Sequence, residues 1–221
     1  MKGLKAGGLM AILLAVSLIL LGVSASVYAQ EGDSPWLVRL RALAVVPDEE
    51  STDISLVGGE AEVDDAFTAE LDISYFFTDN IAAEMIFGVA NHDVEAVDTA
   101  AGDVDLGDVW LLPPTLTLQY HFMPAAQFRP YVGAGINYTI FFGEDEGDVA
   151  DDIEYDDGFG FALQAGFDWG LNEKWGINVD VKKIWLETDV EVDATSALGA
   201  VVDTEVDLDP WFIGVGVAYK F

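Results

Sequence analysis

The chain contains no cysteine, so no disulfide framework supports its fold. It has only 9 lysines and arginines against 40 aspartates and glutamates, a formal net charge of −31. Nucleic acid is therefore not an expected partner, because its phosphates repel so acidic a chain. After the first 29 residues no stretch reaches 18 consecutive apolar residues, so no membrane-spanning helix is expected. Acidic chains with few aromatics are commonly disordered. This one carries 6 tryptophans, 7 tyrosines and 13 phenylalanines, and therefore has apolar surface to bury or to show to lipid.

The first 29 residues read as a secretory signal peptide. Lys2 and Lys5 give a basic start, 9–23 is an apolar run, and Val27-Tyr28-Ala29 offers small residues for cleavage. The run is short for a spanning helix, although an uncleaved anchor is the alternative. The domain expected to remain, 30–221, has the length of one unit.

Within it, alternation with period two recurs. Eight strands are expected, over 36–47, 67–77, 81–91, 113–123, 130–142, 158–170, 174–187 and 208–221. Short connections (78–80, 124–129, 171–173) alternate strictly with long ones (48–66, 92–112, 143–157, 188–207). In an up-and-down sheet this puts every short turn at one end. The fold class is therefore all-β: an eight-stranded antiparallel up-and-down transmembrane β-barrel. Taking 187–209 as the last loop with its edges, the four long segments hold 31 of the 40 acidic residues. They read as a solvated rim, or alternatively as divalent-cation bridges to lipopolysaccharide. The run EDEGDVADD (144–152) lacks the spacing of a calcium loop, so no metal and no cofactor is expected.

One face of each strand is continuously apolar: Val132, Ala134, Ile136, Tyr138, Ile140 and Phe142, or Ile81, Ala83, Met85, Phe87 and Val89. An eight-stranded interior cannot hold rings such as Phe159, Phe161 and Trp169, so these faces are expected to meet lipid. The opposite faces carry Arg39, Arg41, Glu70, Asp72, Glu84, Asp180 and Lys182, expected to pair as a lumen charge network. With both ends of the barrel chain placed in the periplasm, strand direction fixes depth. Leu43, Val45, Phe141, Ile184, Leu186 and Phe212 then form an apolar upper lumen, a candidate gate or binding zone. The final strand ends abruptly, with Tyr219 and Phe221 on its apolar face. They read as the signal taken by the outer-membrane barrel assembly machinery.

LLPPTLTLQYHF (111–122), FRPYVGAGINYTIFF (128–142) and LDPWFIGVGVAYKF (208–221) resemble the central and C-terminal sequences of the OmpW family of outer-membrane proteins. The resemblance implies an eight-stranded barrel in the outer membrane of a Gram-negative bacterium, with a narrow apolar channel for small hydrophobic molecules. Outer-membrane lipid and lipopolysaccharide, the assembly machinery and a small hydrophobic solute are the expected partners. The alternative is a structural or adhesive barrel with no transported solute. Catalysis would need a base beside a nucleophile. His92 sits in an acidic segment and His121 near the periplasmic end, with Ser74 the nearest hydroxyl by depth, so no enzyme is expected.

Overall fold

Residues 34–48, 50–51, 60–97, 104–146, 152–195 and 200–221 are described by the computed structural model; the expected signal peptide lies outside them. The strands are β1 (Trp36–Val46), β2 (Glu50–Ser51), β3 (Glu60–Val63), β4 (Ala66–Phe76), β5 (Ile81–Gly88), β6 (Ala90–Val97) and β7 (Val104–Leu112). They continue as β8 (Thr115–His121), β9 (Phe128–Glu146), β10 (Asp152–Tyr155), β11 (Gly158–Gly170), β12 (Trp175–Ala194), β13 (Ala200–Asp207) and β14 (Trp211–Lys220).

Eight of them close into a ring in the order β1, β4, β5, β8, β9, β11, β12, β14, every neighbouring pair antiparallel. The seam pairs β1 with β14 from Leu37↔Lys220 to Val46↔Trp211. Closure leaves no open edge, the condition for crossing hydrocarbon without stranded N–H and C=O groups. Short turns at 77–80, 122–127 and 171–174 mark one end, here the turn end.

At the other end the sheet continues past the ring. β9 runs for 19 residues and β12 for 20. The upper part of β9 carries β7, β6 and β3 in order, and that of β12 carries β10, and β13 with β2. Among the described residues, the four segments expected as long loops are therefore largely strand. Their acidic residues alternate with valine, as in Val190-Glu191-Val192-Asp193, so charge masks a period-two pattern.

Exposure follows the alternation. Phe159 is 76% exposed, Phe161 72% and Leu163 53%, while Gly160, Ala162 and Gln164 between them are buried. Trp211, Ile213, Val215 and Val217 are likewise outward and exposed, with Phe212 buried. Such an outer band suits hydrocarbon. Two members of the expected outward rows depart from it: Met85 and Ile140 are covered. Ile140 lies where β9 first takes β7 as neighbour, opposite Leu112.

Aromatic rings gather at the turn end. Trp175 packs edge-on to Tyr219 at 4.8 Å and Tyr219 to Phe221 at 5.0 Å, with the Lys174 ammonium 5.8 Å from the Tyr219 ring. The Phe221 amide bonds the Trp36 carbonyl across the seam. Phe221 is exposed and contributes nothing to the lumen. If it is the residue read during assembly, deleting it should lower the amount of barrel in the outer membrane, measured by fractionation and heat-modifiable migration. An undiminished amount would remove Phe221 from that role.

Candidate functional site in the barrel lumen

Inward-facing side chains fill the ring in two zones. The zone nearer the turn end is charged. Arg39, on β1, has no exposed surface and crosses to β11. Its Nε and Nη2 donate to the two oxygens of Asp168 at 3.0 and 2.8 Å, a paired fork, and its Nη1 reaches Glu84 at 2.7 Å and Ser74 at 2.8 Å. Arg41, two residues further along the same face, donates to Glu70 at 2.5 Å and lies 2.7 Å from Asp72. Lys182 donates to the other Glu70 oxygen at 2.8 Å. Asp180 accepts from Tyr131 at 2.7 Å and from Gln164 at 2.9 Å, and is 4.0 Å from Arg41. Gln119 and Gln164 donate to Glu84 at 2.6 and 2.9 Å. All seven residues expected in the charge network thus lie buried in one connected cluster.

Asp168, an inward residue of the expected face, turns out to be the principal partner of Arg39, and Tyr131, which the alternation did not single out, joins the cluster with a hydroxyl that also accepts from Asn178 at 3.1 Å. Two glycines make room for this plug. A Cβ at Gly166 would lie 2.5 Å from the Tyr131 hydroxyl, and one at Gly214 2.9 Å from Arg41 Cδ. Ionised groups removed from water cost several kcal/mol each unless paired, and here each arginine and Lys182 has a carboxylate within 2.8 Å.

The second zone lies toward the extended end. Leu43, Val45, Phe141, Ile184, Leu186 and Phe212 are all buried in a single apolar cluster, with Ala66, Ala90, Val94, Val109, Ile153, Tyr155, Ala162 and Val190. The cluster is thus partly built by β6, β7 and β10, outside the ring. Phe141 and Tyr155 stack at 5.5 Å, and Lys182 Nζ lies 5.5 Å from the Phe212 ring, where plug and apolar zone meet.

Between the zones is a narrow cleft, partly open to solvent, whose enclosed space is only about 10 Å³, roughly room for one water. Leu43, Val45, Ile184 and Phe212 wall it on the lumen side, and Glu70 and Lys182 lie beneath. Its far side is the barrel wall at Thr68, Ile86, Gly88, Val89, Pro113 and Thr115. The backbone ladder is broken there. The β4–β5 pairing stops at Glu70↔Gly88 and resumes as β3–β6 at Val63↔Val94; the β5–β8 pairing stops at Ile86↔Thr115 and resumes as β6–β7 at Ala90↔Leu111. Pro113 and Pro114 have no N–H to offer across this gap. The Val89 carbonyl is taken instead by the Thr68 hydroxyl at 2.6 Å.

The rival catalytic pair is not assembled among the described residues. Ser74 bonds Arg39 and Glu84, and His121 Nε2 meets Gln119 Oε1 at 3.1 Å. His92 is bound through Nδ1 to the Asp64 carbonyl at 2.7 Å, outside the ring. Burial holds its imidazole below the ordinary histidine range.

A profile of the OmpW family matches residues 30–221. The chain is 46% identical over 190 residues to an uncharacterized outer-membrane protein, y4mB, of Sinorhizobium fredii, covering 86% of this chain and 81% of that one. It is 37% identical over 210 residues to outer membrane protein W of Vibrio cholerae, with 90% and 93% covered. The crystal structure of OprG from Pseudomonas aeruginosa superposes with a TM-score of 0.79 at 34% identity, covering 86% of this chain and 97% of that one. A more distant relative, PahQ of Pseudomonas aeruginosa, is 28% identical over 195 residues, 86% of this chain and 90% of that one, and is named as a dibenzothiophene metabolism operon protein.

Proposed function

The chain belongs to the OmpW family of outer-membrane proteins, and from that premise we propose that it is a non-enzymatic channel through which small hydrophobic molecules enter. The observation that carries this reading is the apolar cleft between the charged plug and the broken stretch of wall. The plug ties β1 to β4, β5, β11 and β12 with charged groups and leaves no apolar way through. A hydrophobic solute coming from the extended end, the end taken to face outward, would rest against Leu43, Ile184 and Phe212. The way out for it is sideways, between Gly88 and Pro113, where no ladder hydrogen bond has to be broken. The name of PahQ links one relative to the metabolism of an apolar aromatic compound, and supports the same solute class. Lipopolysaccharide and the assembly machinery are partners on this reading, as for any barrel of this membrane.

The test is uptake of naphthalene by cells with and without the barrel at matched outer-membrane integrity. Faster initial uptake with the barrel is expected. Equal rates would leave a structural or adhesive barrel as the better account.

A further inference from the structure

Beyond the ring the sheet divides into two leaves. The first is β3, β6, β7 and the upper part of β9; the second is β10, the upper part of β12, β13 and β2. Among the described residues no backbone ladder joins one leaf to the other above the ring. The chain crosses between them twice. Between β1 and β4 it pairs in the second leaf as β2 and then in the first as β3. Between β9 and β11 it leaves the first leaf and returns in the second as β10. Among the described residues neither connection pairs with itself as a hairpin, so each marks a seam. The β1–β4 and β9–β11 positions lie opposite each other in the ring of eight.

Each seam has a defined foot. The β1–β4 ladder ends at Val45↔Ala66. Above it the Asp48 N–H bonds the Leu208 carbonyl, on the side of the second leaf, and the Asp64 N–H bonds the Asp93 carbonyl of the first. The β9–β11 ladder ends at Thr139↔Gly158. There the Asp157 carboxylate accepts the Phe141 N–H at 3.2 Å and the Tyr138 hydroxyl at 3.1 Å, while Asp156 is bonded to Thr188 and Asp189 of the second leaf. Above these feet the leaves meet through apolar side chains: Val94, Val109 and Phe141 from the first, Ile153, Tyr155 and Val190 from the second. Phe141 and Tyr155 stack across the seam at 5.5 Å. Contacts of this kind are non-directional, and an apolar guest can replace them. The cleft beneath has room for roughly one water, whereas a benzene-sized guest occupies a cavity of about 150 Å³. Some part of the wall has to move before a solute can enter.

We propose that the extended end is a two-leaf clamp: the leaves part along the two seams, take an apolar solute between them and close again behind it. This rests on the uptake reading above and names the moving part which that reading requires. Parting the leaves breaks no backbone ladder among the described residues, and within each leaf every strand keeps its partners. The ring below, closed all round and tied across by the plug, stays fixed and acts as the hinge. A solute held between the leaves touches the apolar side chains that opening uncovers. It therefore binds the parted form better than the closed one, which is the condition for a ligand to shift such an equilibrium. Water gives no such contact, and without solute the leaves stay shut.

Two measurements test the clamp. Glu95 and Glu191 are exposed, one on each leaf, and the chain has no cysteine of its own. Glu95→Cys combined with Glu191→Cys therefore takes one spin label on each leaf. In lipid nanodiscs the label separation should show one population without solute and a second, longer one on saturation with naphthalene. The other measurement locks the seam. Phe141→His combined with Tyr155→His sets two imidazoles across it, and ring centres 5.5 Å apart suit a shared zinc ion. A zinc-dependent rise in the thermal unfolding midpoint shows that the bridge has formed. Barrel-dependent naphthalene uptake should then fall about tenfold or more with zinc, as the fraction of barrels able to open falls, and return with a chelator. Wild-type uptake should be the same with and without zinc. An unwidened label separation, or full uptake by the zinc-bridged barrel, would overturn the clamp while the uptake reading stands. Absence of barrel-dependent naphthalene uptake in wild type would overturn the uptake reading and the clamp together.

Discussion

Arg39→Leu is expected to destabilise the barrel by about 3–5 kcal/mol, the cost of leaving buried charges without their partner. Arg39 is wholly buried and holds Glu84 on β5 and Asp168 on β11 at once, so its loss leaves Asp168 without its paired cation and Glu84 with only Arg41 at 3.5 Å. Urea unfolding in detergent micelles, followed by heat-modifiable migration, measures the loss. Arg39→Lys should recover only part of it, since one ammonium cannot reproduce the fork to Asp168 together with the bond to Glu84. Replacing Arg39 and Asp168 together by leucine should be milder than Arg39→Leu alone, because one of the stranded charges goes too. An Arg39→Leu barrel as stable as wild type would mean that water enters the plug freely and that the charges are not buried in the working protein.

Ile184→Asp is expected to abolish most barrel-dependent uptake of naphthalene, a fall of about tenfold or more. Ile184 is 1% exposed and lines the cleft opposite the wall break. A carboxylate there has to stay hydrated or be buried unpaired, and either outcome removes the apolar surface that would hold the solute. A loss of about 1.4 kcal/mol of solute binding already corresponds to tenfold. Position 184 separates the cases better than Phe212, because the Lys182 ammonium lies beside the Phe212 ring and would partner an aspartate placed there. The outward rows are untouched, so the amount of barrel in the membrane should not change. Unaltered uptake at matched surface levels would place the solute path elsewhere.

The ring was legible because period-two alternation is local. Each of its strands carries its own pattern, as Phe159, Phe161 and Leu163 against Gly160, Ala162 and Gln164 show. The faces that hold the lumen residues follow from the same rule. Partnership across the lumen does not, because it depends on curvature: Arg39 meets Asp168 at a sequence separation of 129 residues, and neither strand borders the other. Tyr131 escaped for a different reason. It lies one residue inside the expected strand start at Pro130, on the inward row of Gly133, Gly135 and Asn137, where a large ring runs against the rule that rings face outward. The wall break had a signal, Pro113-Pro114, which reads locally as a strand boundary. Only the register of the neighbouring ladders turns it into an opening. The strands beyond the ring were hidden by charge: acid at every second position reads as solvent-loving loop when valine at the alternate positions is given too little weight.

The seam between β1 and β14 also sets an order in time. Leu37 pairs with Lys220, the first strand of the ring with its last, so the contact that closes the barrel is between the parts of the chain made furthest apart. Closing so long a loop carries a large entropic cost before any pairing rewards it, and topologies dominated by such contacts fold slowly. No partial chain lacking β14 can bring the ring shut. Until the last strand arrives, β1 and β12 each present an unpaired ladder, and the arginines of β1 face an interior that is not yet enclosed. During that interval the chain needs to be kept from pairing with other chains, and the interval ends only when β14 has paired with both β12 and β1.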